Sequence, residues 1–407
     1  MGELLPNMDT MHMWSDGYES LAYYRARGGY QALQRALELS PAAIVSRLEE
    51  AGLRGRGGAA FPTALKWKSV MESDAPQRYL VVNGAEGEPG SFKDRTLMAM
   101  APHAVLEGIL IAAHTLQVDA VLFYVNAKFI DSLAALRQAL AEAKEAGLYG
   151  TRGLVRTPVR IIPETHVYIA GEETALINVL MGNPAQPWHK PPYPTQQGYN
   201  KMPTVVNNVE TLAHVAVILR KGAEWYRTER PALFAVSGDV RKPGVFELPL
   251  GTPLLRLLEE AGGPLPGQEI QAVLPGGYST PWILSENFDV RLDYDSLREI
   301  GTGLGAAIIV VGSGRSLGSV AWDVLEFFAR ETCGKCPVCV RGTRAMADGF
   351  SAAREGALSA ESAESLLALA QKHRRKGVCT FLDTAARFAE AAVPALTMAP
   401  VWDESRE

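Results

Sequence analysis

Apolar positions recur at helical spacing in two early stretches, GYQALQRALEL and PAAIVSRLEEAGL, which predict two helices. The run GLRGRGGAAFPTALKW then places its glycines ahead of a third. From Tyr79 the pattern changes. YLVVNG is a short apolar run ending in a turn, HAVLEGILIAAHTL a helix, AVLFYV a second strand and SLAALRQALAEAKEAGL a long helix. Strands alternating with helices point to a mostly parallel sheet covered by helices. The stretch GNPAQPWHKPPYPTQQGYNKMPT is too rich in proline for a regular helix. Its length as an irregular segment favours a functional role. NNVETLAHVAVILRKGAEWY resumes a helix.

A second pattern begins near Ala232. LFAVSGDV and KPGVFELP read as a hairpin with a Lys-Pro-Gly turn, TPLLRLLEEAGG as a Thr-started, Gly-stopped helix, and AVLPGG and AAIIVVG as further strands. One helix on a small mixed sheet suggests a β-grasp module. From Ser319 onward the spacing is helical again, in SVAWDVLEFFARE, TRAMADGFSAARE, SAESLLALAQKH and LDTAARFAEAAVPAL. The expected architecture is therefore an α/β domain with an N-terminal helical region over residues 1–230, a β-grasp domain over 231–315 and a helical domain over 316–407.

Composition narrows the classes of function. The chain has 407 residues and a net charge of −5, from 40 basic and 45 acidic residues. That balance leaves no electrostatic footprint for nucleic acid or an anionic membrane. The first residues lack the basic and apolar segments of a secretory signal. The most apolar stretch, Ala104 to Val125, is interrupted by Glu107, His114, Gln117 and Asp119 and is too polar to span a bilayer. A cytoplasmic chain is expected, without direct membrane insertion, reaching a membrane only through partners.

Three of the four cysteines lie in ETCGKCPVCVRGT and the fourth in GVCTFLDTA: Cys333, Cys336, Cys339 and Cys379. An unsecreted chain keeps its thiols reduced, which disfavours disulfides. Soft thiolate sulfur suits iron and offsets its cationic charge. The C-x-x-C-x-x-C spacing wraps three thiolates around one corner of a small cube, and the fourth ligand arrives from distant chain. The pattern predicts one [4Fe-4S] cluster and leaves no cysteine for a second; zinc and inert buried thiols are the alternatives.

Other segments gather polar groups where ligands bind in α/β folds. Gly52, Gly55, Gly57 and Gly58 precede a helix containing Lys66. Such a loop lets backbone N–H groups converge on phosphate, or else is a structural turn. NGAEGEPGSFKDR follows directly on YLVVNG, so Glu86 and Glu88 sit at the carboxyl end of a strand. A solvated acidic loop is the other reading. Glu172 and Glu173 in GEETALI are ordinary partners for a helix dipole, and Asn207 and Asn208 in VVNN are ordinary caps.

Taken together, GLRGRGGAAFPTALKW, NGAEGEPGSFKDR, YIAGEETAL, KPPYP, PTVVNNVETL and ETCGKCPVC with its remote cysteine resemble one family, and they occur in that family's order. It is the NADH-binding, FMN-carrying 51 kDa-type subunit of respiratory complex I, a type shared with NAD-linked hydrogenases and formate dehydrogenases. The resemblance covers the chain from about Gly28 to Pro394. It implies a Rossmann-like FMN/NADH domain, a ubiquitin-like β-grasp domain of SLBB type and a helical bundle holding the cluster. It implies FMN contacts from Gly55, Gly57 and Lys66, from Asn83 and Glu86, from Tyr168, Gly171 and Glu172, and from Val206, Asn207 and Asn208. Phe61 and Tyr193 would stack on adenine, while Glu88, Glu173 and Lys190 would contact the dinucleotide. Tyr193 replaces the usual phenylalanine but keeps a stacking ring. The family's aspartate after NA is Ala85 here, the Gly-rich run before YICGEE reads IIPETH, and the usual Arg-Gly after the central strand is Asn126-Ala127.

The implied function is that of an NADH dehydrogenase (diaphorase) module passing electrons between NAD(H), FMN and the cluster. The flavin would interconvert two-electron and one-electron traffic, and pocket residues would position the reactants without acting as acid or base. A degenerate relay or scaffold subunit that keeps the cluster but has lost NADH or flavin binding is the alternative, motivated by Ala85 and the altered cleft loops. One cluster without a quinone site would strand electrons. The expected partners are therefore a thioredoxin-like [2Fe-2S] subunit and a larger Fe–S or catalytic subunit.

Overall fold

A computed structural model describes residues 18–164, 167–305, 307–354 and 356–397. The chain forms two compact units, one built from residues up to Val236 with Gly244–Thr252 and Gly305–Ala307, the other from Ser237–Pro243, Pro253–Leu304 and the chain from Ile308 onward.

The first unit opens with α1 (Leu21–Ala26), α2 (Gln31–Glu38), α3 (Pro41–Glu50) and α4 (Thr63–Met71). Ser20 and Ser40 accept backbone N–H groups at the starts of α1 and α3, the ordinary chemistry of an N-cap. A sheet follows from β1 (Tyr79–Gly84), β2 (Ala120–Asn126), β3 (Val159–Glu164) and β4 (Thr204–Asn208), in the order β3-β2-β1-β4. Every pairing in it is parallel, with Asn83 opposite Tyr124 on one side and Asn208 on the other. The connecting helices are α5 (Lys93–Met100), α6 (Pro102–Leu116), α7 (Ile130–Glu145) and α8 (Glu173–Leu180). α9 (Val209–Lys221) and α10 (Ala223–Glu229) complete the unit. The expected single helix after Asn208 is thus two, because Gly222 turns the backbone to φ 98° between them.

Period-2 alternation assigns the two sheet faces. Leu80, Val82, Val121, Phe123 and Val205 join the larger core with α6 and α9. Val81, Leu122, Tyr124 and Val206 face α8. Helix α6 is buried along almost its whole length, which explains why its sequence is apolar all round without being a membrane span. No single described helix is long and apolar enough to cross a bilayer. The interruptions that mark α6 as a core helix are themselves bonded. Glu107 accepts Tyr24 Oη at 2.5 Å and the Leu33 N–H at 3.0 Å. His103 meets Tyr30 Oη at 2.9 Å and Glu142 at 3.0 Å. These bonds fasten the N-terminal helices to α6 and α7.

The β-grasp strands are β5 (Pro231–Gly238), β6 (Gly244–Pro249), β7 (Ile270–Tyr278), β8 (Ile283–Leu284) and β9 (Ala307–Gly312). Helices α11 (Leu254–Glu260) and α12 (Tyr294–Glu299) accompany them. The sheet order is β6-β5-β9-β7-β8. β5 and β6 pair antiparallel with Val236 opposite Gly244, so the Lys-Pro-Gly segment turns the hairpin as expected. β7 pairs antiparallel with both β8 and β9. The remaining helices are α13 (Leu317–Arg330), α14 (Pro337–Gly349), α15 (Ala360–His373) and α16 (Phe381–Thr397). Edge-to-face contacts of Phe328 with Phe327 and Phe381 join α13 to α16.

Candidate functional sites

The glycine loop is a tight reversal between α3 and α4. Arg54 and Pro62 pair across it, and the Gly55 N–H donates to the Phe61 carbonyl at 2.9 Å. Gly57 lies so near Asn208 that an added Cβ would stand 3.3 Å from the Asn208 Cβ, whereas a Cβ on Gly58 or Gly171 would meet nothing within 4 Å. The loop is anchored from below by Arg56, which sequence reasoning passed over. Its N–H donates to Thr211 Oγ1 at 2.8 Å, and its buried guanidinium donates to Tyr226 Oη and the Pro231 carbonyl.

The carboxyl ends of β1 and β4, where parallel sheets place ligands, collect most of the remaining residues. Lys66 on α4 donates to Glu173 at 3.0 Å and to the Val206 carbonyl at 3.2 Å. Lys190, from the proline-rich segment, donates to Glu173 at 2.7 Å and Glu172 at 3.0 Å. Burial works to raise the Glu173 carboxyl, but the two ammonium groups outweigh it and hold it below the usual range. Glu172 also caps α8, accepting the N–H groups of Thr174 and Ala175. Asn83 donates to the Gly171 carbonyl at 3.0 Å, and Tyr168 Oη donates to Glu88 at 2.7 Å. Phe61 and Tyr193 are each 51% exposed, an open position for large rings.

Three expected contacts are engaged inward. The Glu86 carboxylate accepts the N–H groups of Asp94 and Arg95 at 2.7 and 2.9 Å and the Ser91 hydroxyl at 2.9 Å, so it holds the start of α5. Burial, then the neighbouring Asp94, pushes its pKa up to about 7. Asn207 caps nothing; its side-chain oxygen accepts the indole N–H of buried Trp67 at 2.8 Å. Asn208 does cap α9 and also donates to Asp94 at 2.5 Å. Behind it lies a charged cluster that the sequence did not reveal. Lys93 is buried between Asp94 at 2.6 Å and Glu210 at 2.7 Å. The only signal was the charged triplet KDR at a helix start, which reads equally well as surface.

Ala85 is fully buried in the apolar set of Val81, Tyr124, Ala170 and Val206. A small apolar side chain therefore suits the position. A carboxylate there would need a partner or would shift its pKa. The nearby Tyr124 hydroxyl is buried without a hydrogen-bond partner among the described residues. Thr165 and His166 of the altered IIPETH segment lie outside the described residues.

The cysteines sit at helix ends, as expected. Cys333 precedes α14, Cys336 is its N-cap residue, Cys339 is in its first turn, and Cys379 lies ahead of α16. Gly334 adopts φ 76°, open to glycine at little cost. Gly342 lets α14 pass the His373 ring, which a Cβ would approach to 2.4 Å. Burial, then the Cys379, Cys336 and Cys333 sulfurs, pushes the Cys339 thiol up to about 12. The other three sulfurs thus disfavour a thiolate at Cys339, a cost that bound cationic iron would offset. No group of three or more His, Cys, Asp or Glu among the described residues is arranged to hold a single metal ion.

Comparison with known proteins matches these regions in order. The model of the Nuo51 FMN-binding domain matches residues 48–217, that of the SLBB domain 233–277, and that of the NADH-ubiquinone oxidoreductase-F iron-sulfur binding region 319–395. The second F-type NADH-quinone oxidoreductase subunit of Rhizobium meliloti is 42% identical over 352 residues, 83% of this chain and 82% of that protein. The corresponding F-type protein of Escherichia coli is 40% identical over 349 residues, 82% and 77% of the two chains. A solved NAD+-reducing [NiFe]-hydrogenase in its H2-reduced state superposes with a TM-score of 0.79 at 32% identity, over 90% of this chain. The present chain spans 65% of that hydrogenase chain, a little under two thirds. With the glycine loop, the strand-end polar network and the four cysteines in that order and setting, the chain belongs to the family of F-type subunits of NADH-quinone oxidoreductases.

Proposed function

We propose that this chain is the NADH dehydrogenase module of a larger oxidoreductase, passing electrons between NAD(H), FMN and one [4Fe-4S] cluster. The observation that carries this reading is the meeting of Lys66, Glu173, Lys190 and the Val206 carbonyl in one hydrogen-bonded network. They come from four separate segments, α4, the start of α8, the proline-rich stretch and β4, and meet beside the parallel sheet. Groups that merely capped helices or solvated loops would have no reason to converge there.

The residues present fit a flavin phosphate and ring. The open backbone at Gly58 and Gly171 leaves room for close approach, and Gly57 keeps Asn208 near the loop. Gly55, Gly57, Lys66, Asn83, Tyr168, Gly171, Glu172, Val206, Asn207 and Asn208 would hold FMN, several by orienting a neighbour. Glu86 would act through the helix start that it fixes. Bound FMN supplies the exchange between two-electron and one-electron transfer. Lys66 places a cation in the cleft, which favours negative charge on a bound ring. Phe61 and Tyr193 offer exposed faces to the adenine of NADH, and Glu88, Glu173 and Lys190 border the same mouth. No side chain need move a proton at the hydride itself.

Cys333, Cys336, Cys339 and Cys379 would hold the cluster. The relay-only alternative rests on Ala85 and the altered cleft loops; Ala85 itself is packed in an apolar set with Val81, Tyr124, Ala170 and Val206. The three-module division at 230/231 and 315/316, a thioredoxin-like [2Fe-2S] partner, a larger Fe–S or catalytic partner, and a cytoplasmic location peripheral to any membrane belong to the same proposal. The F-type relatives are named as subunits, which supports the multi-subunit setting of this proposal. Protein loaded with FMN should bleach at the flavin bands when NADH is added anaerobically. Absence of bleaching with both NADH and NADPH would leave the relay reading standing.

A further inference from the structure

The first turns of α5 and α9 meet in a closed ring of polar groups. The Asn208 amide nitrogen donates to Asp94 Oδ2 at 2.5 Å, Lys93 Nζ donates to Asp94 Oδ1 at 2.6 Å, and the same ammonium reaches Glu210 Oε2 at 2.7 Å. The Glu210 backbone N–H closes the ring on Asn208 Oδ1 at 2.9 Å. Glu210 Oε1 is engaged elsewhere, accepting the Leu233 N–H of β5 at 3.1 Å and meeting His214 Nε2 at 3.3 Å. Lys93 and Glu210 are each 1% exposed and Asp94 4%. A lysine is seldom buried so deeply unless it is paired. Burial works to discharge this one, but Asp94, Glu210 and Glu86 outweigh that effect and hold its pKa above the usual lysine range.

The ring decides which way the Asn208 amide faces. An Asn side chain has two acceptor lone pairs and two N–H groups. Here Oδ1 receives the N–H groups of Glu210 and, at 3.4 Å, of Thr211, while Nδ2 uses one N–H on Asp94. Turning the amide over would set its oxygen against the Asp94 carboxylate and its N–H groups against two backbone N–H groups. Both contacts would repel. What the ring leaves unused is therefore a donor and not an acceptor. Asn208 is itself only partly buried, lies opposite Asn83 of β1, and stands against Gly57 of the glycine loop.

We propose that Lys93 is a positioning residue of the flavin site: it holds Asp94 as an ionised acceptor and thereby fixes Asn208 as a hydrogen-bond donor toward bound FMN. The proposal rests on the reading that Asn208 contacts FMN. A carboxylate only accepts hydrogen bonds, whereas a carboxylic acid also donates one. Both Asp94 oxygens face N–H donors, so a proton on either would have to displace one. Burial raises the Asp94 carboxyl, and the Lys93 ammonium is the strongest group opposing that rise. Without the ammonium, Asp94 and Glu210 would be two like charges in one buried site, and one would take up a proton. A protonated Asp94 can donate to the Asn208 oxygen, and the amide is then free to turn. The phosphate and ring carbonyl oxygens of FMN accept hydrogen bonds, so an amide that presents its oxygen opposes them.

The test is a double-mutant cycle on the full chain. FMN affinity is read by fluorescence titration of apoprotein, and folding separately from urea midpoints. Lys93→Met removes the ammonium and should weaken FMN binding about tenfold, and Asn208→Ala should do so by a similar factor. The double variant should bind no more weakly than the weaker single variant, because Lys93 acts through that amide. Losses that multiply, to about a hundredfold, overturn the proposal, since Lys93 would then serve the fold as a whole. So does an unchanged affinity in Lys93→Met. Lys93→Arg keeps the cation and should hold affinity within about threefold of wild type even where its urea midpoint falls. A folded arginine variant as weak as the methionine variant overturns the proposal. If Lys93→Met does not fold, Asp94→Asn takes its place in the cycle, because it removes the charge and keeps the shape. A loss that vanishes in the Asn208→Ala background then supports the proposal, and a loss that persists there, or no loss at all, overturns it. Wild-type protein that binds no FMN fails the flavin reading and takes the proposal with it, whereas multiplying losses in a wild type that does bind FMN overturn the proposal alone.

Discussion

Lys66 makes two bonds at once, to Glu173 and to the Val206 carbonyl, so its removal strips the cleft of its central cation. Lys66→Ala should weaken FMN binding by roughly one to two decades, the equivalent of a lost charge-assisted hydrogen bond of about 1.5–3 kcal/mol. Fluorescence titration of apoprotein with FMN measures this. Tyr193 tests a different layer. Half exposed and taking no part in the Lys66 bonds, it should be dispensable for flavin, and Tyr193→Ala should raise the NADH concentration for half-maximal dye reduction several-fold through loss of stacking. Equal loss of flavin in both variants would contradict the separation of the two layers. Glu19 gives a pH test. It is 1% exposed, its Oε2 is unpaired among the described residues, and burial pushes its pKa up to about 8. A carboxyl whose folded pKa lies above its unfolded value of about 4.3 favours folding least when ionised. Stability should therefore decline as pH rises from about 4.3 to 8. Glu19→Gln should come nearest to wild type at about pH 4 and exceed it increasingly up to pH 8, read from urea midpoints.

At the scale of elements, backbone approach matters more than side-chain identity. A Cβ on Gly108 of α6 would lie 1.8 Å from the Leu212 carbonyl of α9. Backbone cannot yield as a flexible side chain can. Gly108→Ala should force apart two helices at the centre of the first unit and cost about 3 kcal/mol, at the upper end of ordinary overpacking. An unchanged denaturation midpoint would show that α6 and α9 slide apart freely. By the same logic Gly222 ends α9 at φ 98°, which explains why a continuous apolar pattern became two helices. Apolar spacing carries no information about one left-handed residue unless that residue is recognised as punctuation.

At the scale of the molecule, the cluster cysteines and the strand-end network lie in different compact units. Cys379→Ala should abolish or damage the iron–sulfur centre while FMN binding persists. Wild type should yield about four iron and four sulfide per chain, the content of one cube. Stoichiometric zinc without iron after anaerobic purification would refute cluster ligation. Loss of flavin along with iron in Cys379→Ala would show that the units depend on each other for folding.

What the sequence determined by itself was the order of elements and the chemistry of the motifs. Helical and two-residue periods follow from the geometry of the backbone, so the strands YLVVNG and AVLFYV and the helix α6 were legible. The cysteine spacing was legible because ligand chemistry demands those residue types close together in the chain. Tertiary structure alone decided which polar groups face the cleft. Glu86 and Glu88 are two residues apart in one acidic turn, yet Glu86 turns inward to hold α5 while Glu88 receives Tyr168. Asn207 and Asn208 are adjacent, yet one binds Trp67 and the other caps α9. Lys93, in a triplet that reads as surface, is buried against Glu210, more than a hundred positions away. Direction of a side chain at the end of a strand depends on the segment packed beside it, and that partner comes from distant sequence. Local pattern can specify a helix or a strand; only the folded chain can bring Lys66 and Lys190 to the Glu173 carboxylate and turn three scattered charges into one site.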